Sequence, residues 1–316
     1  MEDITPNLTF SFHLQIDTFD IPNPVNYPVF LIGMLVYLFS IICNLVILML
    51  IITRKSLHKP MYYLLFSLPL NDMIGITAFL PRLLGDIVTQ TNFVYYPTCF
   101  LQAFVLHVYA GATLFILAAM SIDRYFAICK PLQYHSVMTP FTLRFLICSA
   151  WGLDLLLMII LFGLQAKGNR CKTFIANVYC DNPSLLQLSC GVDLSVNNIY
   201  GLFMTALIQM ISLVIPLYSY VNILLICIFN RQSDAKSKAV NTCLAQILIF
   251  VLFECMITFT ILSYRFSDIS PNSRKFCGSM IFILPPVLNP IIYGIKTKEL
   301  RTSFLAVIHN KKITNT

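Results

Sequence analysis

Apolar runs of about 20 residues, the length a helix needs to cross the hydrocarbon core of a bilayer, recur at 28–52, 61–84, 97–122, 141–164, 197–229, 239–262 and 276–295. Hydrocarbon offers a peptide group no hydrogen-bond partner, so a segment that crosses it must satisfy its own backbone, as a helix does. The composition agrees: of 316 residues, 58% are hydrophobic and only 11% are charged, well away from the balance of a soluble domain. These features predict an all-α membrane protein, a seven-transmembrane helix bundle. The polar, proline-containing segment ahead of the first run has no basic stretch or small-residue cleavage site, so no cleaved signal peptide is expected.

Orientation follows from the basic residues. With the N-terminus outside, 14 of the 21 Lys and Arg fall on the inner side, Arg54, Lys55, Lys130 and Lys296 among them, and 7 fall outside. Cytoplasmic loops carry the excess of positive charge, so N-out, C-in is favoured, and the acidic tail residues Glu2, Asp3, Asp17 and Asp20 agree. Three parts are expected: an extracellular N-terminal tail over 1–27, the helical domain over 28–295 and a cytoplasmic tail over 296–316. The net charge of +7 is mostly this asymmetry. Nucleic-acid binding would need basic residues gathered on a soluble face, and none is evident.

Asn7 opens an Asn-Leu-Thr sequon on the outer side and is a candidate glycosylation site. Of 11 cysteines, Cys99, Cys171, Cys180 and Cys190 fall in outer segments, where thiols oxidise; four cysteines allow three pairings. The one long connection, 165–195, carries three of them, and a connection that long is usually functional or tied down. In "KTKELRTSFLAVI", Leu300, Phe304 and Leu305 share a face away from Lys298 and Arg301, which predicts a short amphipathic helix on the inner membrane surface.

Ionisable groups inside spans need partners or face a polar interior. Asp123 and Arg124 lie side by side at the end of the third run and can neutralise one another at the membrane edge. Asp72 is the clearest buried acid. Thr113, about three helical turns back from Arg124, and Asn289 can reach its depth, so these three and Asn44 form a candidate polar network. Glu254 lies within "ILIFVLFECMITF", apolar on both sides. A carboxyl there needs a cationic partner or a proton of its own. It either contacts ligand or His107, or is a hydrogen-bonded core group.

Several motifs stand in the order and on the sides of one known family. Asn44, Asp72, Cys99, Asp123-Arg124-Tyr125, Trp151 and Asn289-Pro290-Ile291-Ile292-Tyr293 resemble the marks of rhodopsin-like G-protein-coupled receptors. "LHKPMYYLL" at 57–65, "DRYFAICKPLQY", "SYVNI" at 219–223, "KAVNTC" at 238–243 and "PPVLNPIIY" at 285–293 narrow the resemblance to the odorant receptors, over nearly the whole chain. The chain departs from the family at Ser121-Ile122, where Ala-Tyr is common, at Thr113 for Glu, at Gln246 for His and at Glu254 for Tyr.

The resemblance implies a small-molecule odorant bound in the outer half of the bundle. Phe104, His107 and Gly111 on span three, Met204, Ile208 and Gln209 on span five, and Glu254 and Thr258 on span six would face it. It implies that release of Arg124 from Asp123 opens a cavity for a heterotrimeric G protein, a stimulatory one that raises cyclic AMP. Tyr125, Asn289 and Pro290 would belong to that switch, with Tyr220 and Tyr293 restacking around Arg124 as span six swings outward. It also implies the disulfides Cys99–Cys180 and Cys171–Cys190. In related receptors the network around Asp72 holds sodium. Because Thr113 stands where the family often has Glu, a hydrogen-bonded cluster without an ion is an equal alternative. No other metal and no cofactor is expected. The partners are the odorant, the G protein and membrane lipids, at the plasma membrane.

Other readings fit less well. A retinal Schiff base has no lysine between Phe276 and Tyr293, and span three offers Leu106 and His107 where an amine receptor presents an acid. A rhodopsin-like receptor for a non-odorant small molecule, lipid or peptide is the nearest alternative. A transporter or channel would want inverted repeats or charges lining several spans. The usual hydrolase and metalloenzyme signatures are absent.

Overall fold

The computed structural model describes residues 13–19, 21–168, 170–190, 195–229, 234–264 and 269–314, with the side chains of 227–243, 245 and 308–314 outside that description. Asn7, the candidate glycosylation site, lies outside the described residues, as do Glu2, Asp3, Asp20, Arg231 and Arg265. Strand β1 (His13–Ile16) precedes α1 (Asn23–Thr53), α2 (Pro60–Thr89), strand β2 (Phe93–Tyr95) and α3 (Tyr96–Cys129). Then come α4 (Pro131–Val137), α5 (Pro140–Gln165), strand β3 (Phe174–Ile175), α6 (Asn182–Gln187), α7 (Ser195–Phe229), α8 (Asp234–Ser263), α9 (Pro271–Lys296) and α10 (Lys298–Thr314). Helices α1, α2, α3, α5, α7, α8 and α9 correspond to the seven apolar runs, and each is long and apolar enough to cross a membrane.

Prolines open α2, α4, α5 and α9, where the missing N–H has no helical partner to lose. The Thr139 and Ser270 hydroxyls cap α5 and α9 by accepting from the backbone N–H of Thr142 and Ser273, each at 3.2 Å. The helices outrun the apolar segments: α3 continues past 122 to Cys129 and carries Asp123-Arg124-Tyr125 within it. Near the membrane edge a polar residue can keep its helical backbone bond while its head group reaches the interface.

The burial is that of a protein whose solvent is lipid. On α1 the small polar Ser40 and Asn44 are fully buried, whereas Leu31, Leu35 and Ile42 are exposed. Helix α3 is the most enclosed span and packs on α2, α5 and α7. Within α9, Pro285, Pro286 and Pro290 each lack an N–H, and the first and last of them free the carbonyls of Ile281 and Pro286, one turn back. Neighbouring helices replace both donors. Ser40 Oγ and Asn44 Nδ2 of α1 donate to the Pro286 carbonyl at 2.8 and 2.9 Å, and the Tyr109 hydroxyl of α3 donates to that of Ile281 at 3.3 Å.

At the end of the bundle where α1 begins, the segment before it is more than a tail. β1 pairs antiparallel with β2 and parallel with β3, giving a three-stranded sheet of order β2-β1-β3. Its alternation puts Leu14 and Ile16 inside and His13 and Gln15 outside. Lys275 of α9 pairs with Asp17 at 2.6 Å and fixes the end of this segment. Disulfides join Cys99 at the start of α3 to Cys180 and Cys171 to Cys190, in the pairing the resemblance implies. At the other end, α10 turns Leu300 and Ser303 inward, while Phe304 and Leu305 are exposed. The three apolar residues expected on one face are thus divided: Leu300 anchors the helix to the bundle, and the other two are left for the lipid surface.

The Cys99–Cys180 bridge closes 81 residues of sequence. Cys99→Ser is expected to destabilise the folded protein by about 2–5 kcal/mol. Thermal unfolding of detergent-purified protein should show a clear fall in midpoint.

Candidate functional site

Near the C-terminal end of α3, Arg124 clasps Asp123 through Nη2 at 2.5 Å and Nε at 3.1 Å. The carboxylate is 1% exposed, and its other oxygen accepts from the Tyr134 hydroxyl of α4 at 2.9 Å. Burial, and then the adjacent Asp123 charge, push the Tyr134 hydroxyl well above its ordinary pKa. It therefore stays protonated and remains a donor. Around this lock, the Tyr125 ring lies 5.6 Å from that of Tyr218, and Tyr220 of α7 lies 6.3 Å from Phe250 of α8. Tyr293 is buried, and Tyr62 of α2 bonds Glu299 of α10.

In the middle of the bundle the polar residues divide into linked pairs. Asn289 donates to Asp72 at 2.7 Å. Asn44 turns to Ser40 and the Pro286 carbonyl instead. The Thr113 hydroxyl accepts from Asn71 at 2.9 Å and donates to the Tyr109 carbonyl at 2.8 Å, so its partner is not Asp72. The single four-residue network expected from the sequence is thus three clusters joined through Tyr109 and α9. Asp72 keeps one oxygen without a hydrogen bond, and the Thr113 hydroxyl has partners other than Asp72. No group of three metal-ligating side chains occurs among the described residues.

The half of the bundle that carries Cys99 and the 165–195 connection holds a cavity of about 1050 Å³, at the upper end of the range for small-molecule sites. Of the residues expected to face a ligand, His107, Gly111, Met204, Ile208 and Gln209 line it. Phe104, Glu254 and Thr258 lie outside its wall. Phe104 packs on Phe162 at 5.5 Å, and Thr258 accepts from Gln209 at 3.1 Å. Glu254 is buried against Gln209 and Ser212 of α7, and among the described residues no ion pair joins it to His107. His107 is instead held on its own helix, Nδ1 at 2.8 Å from the Ala103 carbonyl. A carbonyl only accepts, so Nδ1 carries the proton and Nε2 is left as an acceptor. The carboxylate whose charge acts on His107 is Asp181.

Sequence reasoning expects the 165–195 connection to be functional or tied down, but it names none of the residues that this lid contributes to the wall. Lys172, Phe174, Asp181 and Leu186, all from the long outer connection, line the cavity. Asp181 caps α6 by accepting from Ser184 N at 2.9 Å, and its other oxygen accepts from Asn177 and from the Tyr264 hydroxyl at the top of α8. Burial, and then the charge of Asp181, raise the Tyr264 pKa, so this hydroxyl is also a fixed donor. "DNPS" at 181–184, a capping acid followed by a proline, was the available signal. Tyr109 was missed too: its ring fills the space a side chain at Gly75 would need and lies among Phe253 and Phe282.

Comparison with known proteins bears on this geometry. The family model described as olfactory receptor matches residues 33–311. Human olfactory receptor 52A5 is 33% identical over 284 residues, 88% of this chain and 89% of that protein. Human olfactory receptor 51I1 is 34% identical over 289 residues, 89% and 90% of the two chains. Human olfactory receptor 2AT4 is 30% identical over 290 residues, 91% and 90%.

Removing the Asn289 amide leaves the Asp72 carboxyl without its 2.7 Å donor. Asn289→Ala is expected to cost about 1–3 kcal/mol of stability, which thermal unfolding of the purified protein would register. An unchanged midpoint would mean that the bond contributes nothing net.

Proposed function

We propose, on the premise that this chain belongs to the olfactory receptor family, that it binds a small organic odorant in the outer cavity and signals through a stimulatory G protein at its inner end. The protein is a multi-pass membrane receptor of the G-protein-coupled class and not an enzyme. The N-terminus outside and the C-terminus inside accord with the basic residues of the inner loops. That orientation also puts both disulfides, the lid and the Asn7 sequon on the oxidising side.

One observation carries the reading. A large cavity under a disulfide-pinned lid occupies one end of the same helices whose other end holds the buried Asp123–Arg124 pair. The cavity wall is mainly apolar, with Leu106, Leu114, Met204 and Ile208 among its residues. Dispersion and apolar burial would hold most of an odorant, and a few polar groups would fix its orientation. His107 and Gln209 are the polar members of the ligand set. Phe104 acts from behind the wall through Phe162, which packs on His107, and Glu254 and Thr258 hold Gln209.

At the inner end, Asp123 and Tyr134 hold Arg124 in the resting state, and its release exposes the G-protein surface. Tyr125, Tyr220, Asn289, Pro290 and Tyr293 belong to the helices that rearrange. The receptor should be expressed with a stimulatory G protein and screened with small odorants for cyclic AMP. Arg124→Ala at normal surface level is expected to abolish the response; a response that survives it overturns the mechanism. Tyr134→Phe removes one hydrogen bond to a charged group, so basal cyclic AMP should rise by up to about tenfold.

A further inference from the structure

Charge around the cavity is unevenly distributed. Asp181 forms part of the wall, and the buried Glu254 lies against wall residue Gln209. A third carboxyl, that of Asp154 on α5, is 0% exposed, and neither of its oxygens has a hydrogen-bond partner. Among the described wall residues the only Lys or Arg is Lys172, which is exposed on the outer connection.

Asp154 is seated in a gap in α3. A Cβ built on Gly111 would fall onto Asp154 Oδ1 and lie 3.2 Å from Cε of Met158. The carboxyl therefore occupies the space that a side chain at 111 would take. Gly111 and Met158 both line the cavity. What separates carboxyl from cavity is a residue without a side chain and the end of a flexible, unbranched one. An unpartnered carboxyl is costly in hydrocarbon, and its neighbours Gly111 and Met158 are wall residues of the cavity.

We propose that Asp154 is the anchor for a ligand carrying a protonated amine, reached past Gly111 when the end of Met158 turns aside. This rests on the reading of the cavity as the ligand site. Sequence alone speaks against an amine because span three offers no acid at pocket depth; here span four supplies it. An ammonium brings the N–H donors and the positive charge that the Asp154 oxygens lack. Asp181 on the wall biases the cavity toward a cation, and among the described wall residues only Lys172 offers a carboxylate ligand a positive charge. Leu106, Leu114 and Leu161 of the wall would take the hydrocarbon part.

The test uses the full-length receptor in cells with a stimulatory G protein, challenged with chain-matched primary amines, alcohols and carboxylates. Surface level is read from an N-terminal epitope tag. Amines are expected to be the most potent class. Asp154→Asn should weaken them by about tenfold to a hundredfold while moving alcohol potency by less than about threefold. Gly111→Ala, whose Cβ competes with the carboxyl, should weaken amines likewise, and it decides the matter if Asp154→Asn does not reach the surface. Amine potency unmoved by these substitutions overturns the proposal, as does a wild-type response to alcohols or carboxylates with none to amines. Both of those outcomes leave the receptor reading intact. Silence toward all three classes from a receptor present at the surface overturns the receptor reading and the amine site with it.

Discussion

The bundle depends on satisfying the carbonyls that prolines free in α9. Pro285 and Pro290 break the hydrogen-bond ladder at mid-membrane, where no water is available and an orphaned carbonyl costs several kcal/mol. Ser40 and Asn44 from one side and Tyr109 from the other supply the missing donors. Helices α1 and α3 are thereby fixed against α9 at two depths. Asn289, in the same stretch, reaches across to Asp72 on α2. Four helices are registered by directional bonds that lipid cannot compete with. The apolar contacts around them, such as Tyr109 with Phe282 and Phe253, follow from that registration.

The outer cavity exists because the lid is held from several directions. Cys180 ties it to α3, Tyr264 ties Asp181 to α8, and β1 ties β3 to β2, with Lys275 gripping the far end of the segment. A loop of this length would otherwise be costly to order. Here the ordering cost is offset in part by covalent closure and in part by burial of Leu14 and Ile16 under the sheet. The lid contributes Asp181 and Phe174 to the cavity wall, so its position sets the shape of the space as well as access to it.

The seven spans were legible because each is a continuous apolar run, and Asp123-Arg124 was legible because charge at a span end needs a partner. Helix ends were not: α3 reaches Cys129 because helical bonding outlasts the apolar composition. Strand β1 was not, because His13–Ile16 is four residues long and pairs only with segments far away in sequence. Depth along a helix could be counted, which brought Thr113 and Asn289 to the level of Asp72. The face each side chain presents could not, so Thr113 meets Asn71 rather than the acid, and Glu254 meets α7 rather than His107. The disulfide pairing came from the family resemblance; spacing alone left three choices. Asp154 escaped notice because its meaning lies in a glycine on another helix.

Helix α8 is held differently at its two ends. Its outer end is tied by directional bonds, Tyr264 to Asp181 in the lid and Thr258 to Gln209 on α7. Further in, aromatic contacts join its polar one through Glu254: Phe253 packs against Tyr109 and Phe250 against Tyr220. A hydrogen bond weakens steeply with misalignment, whereas an apolar contact tolerates sliding over a similar distance. On the proposed mechanism, disturbance of the cavity would turn α8 about its outer ties, with the displacement growing toward Phe250 and its contact with Tyr220.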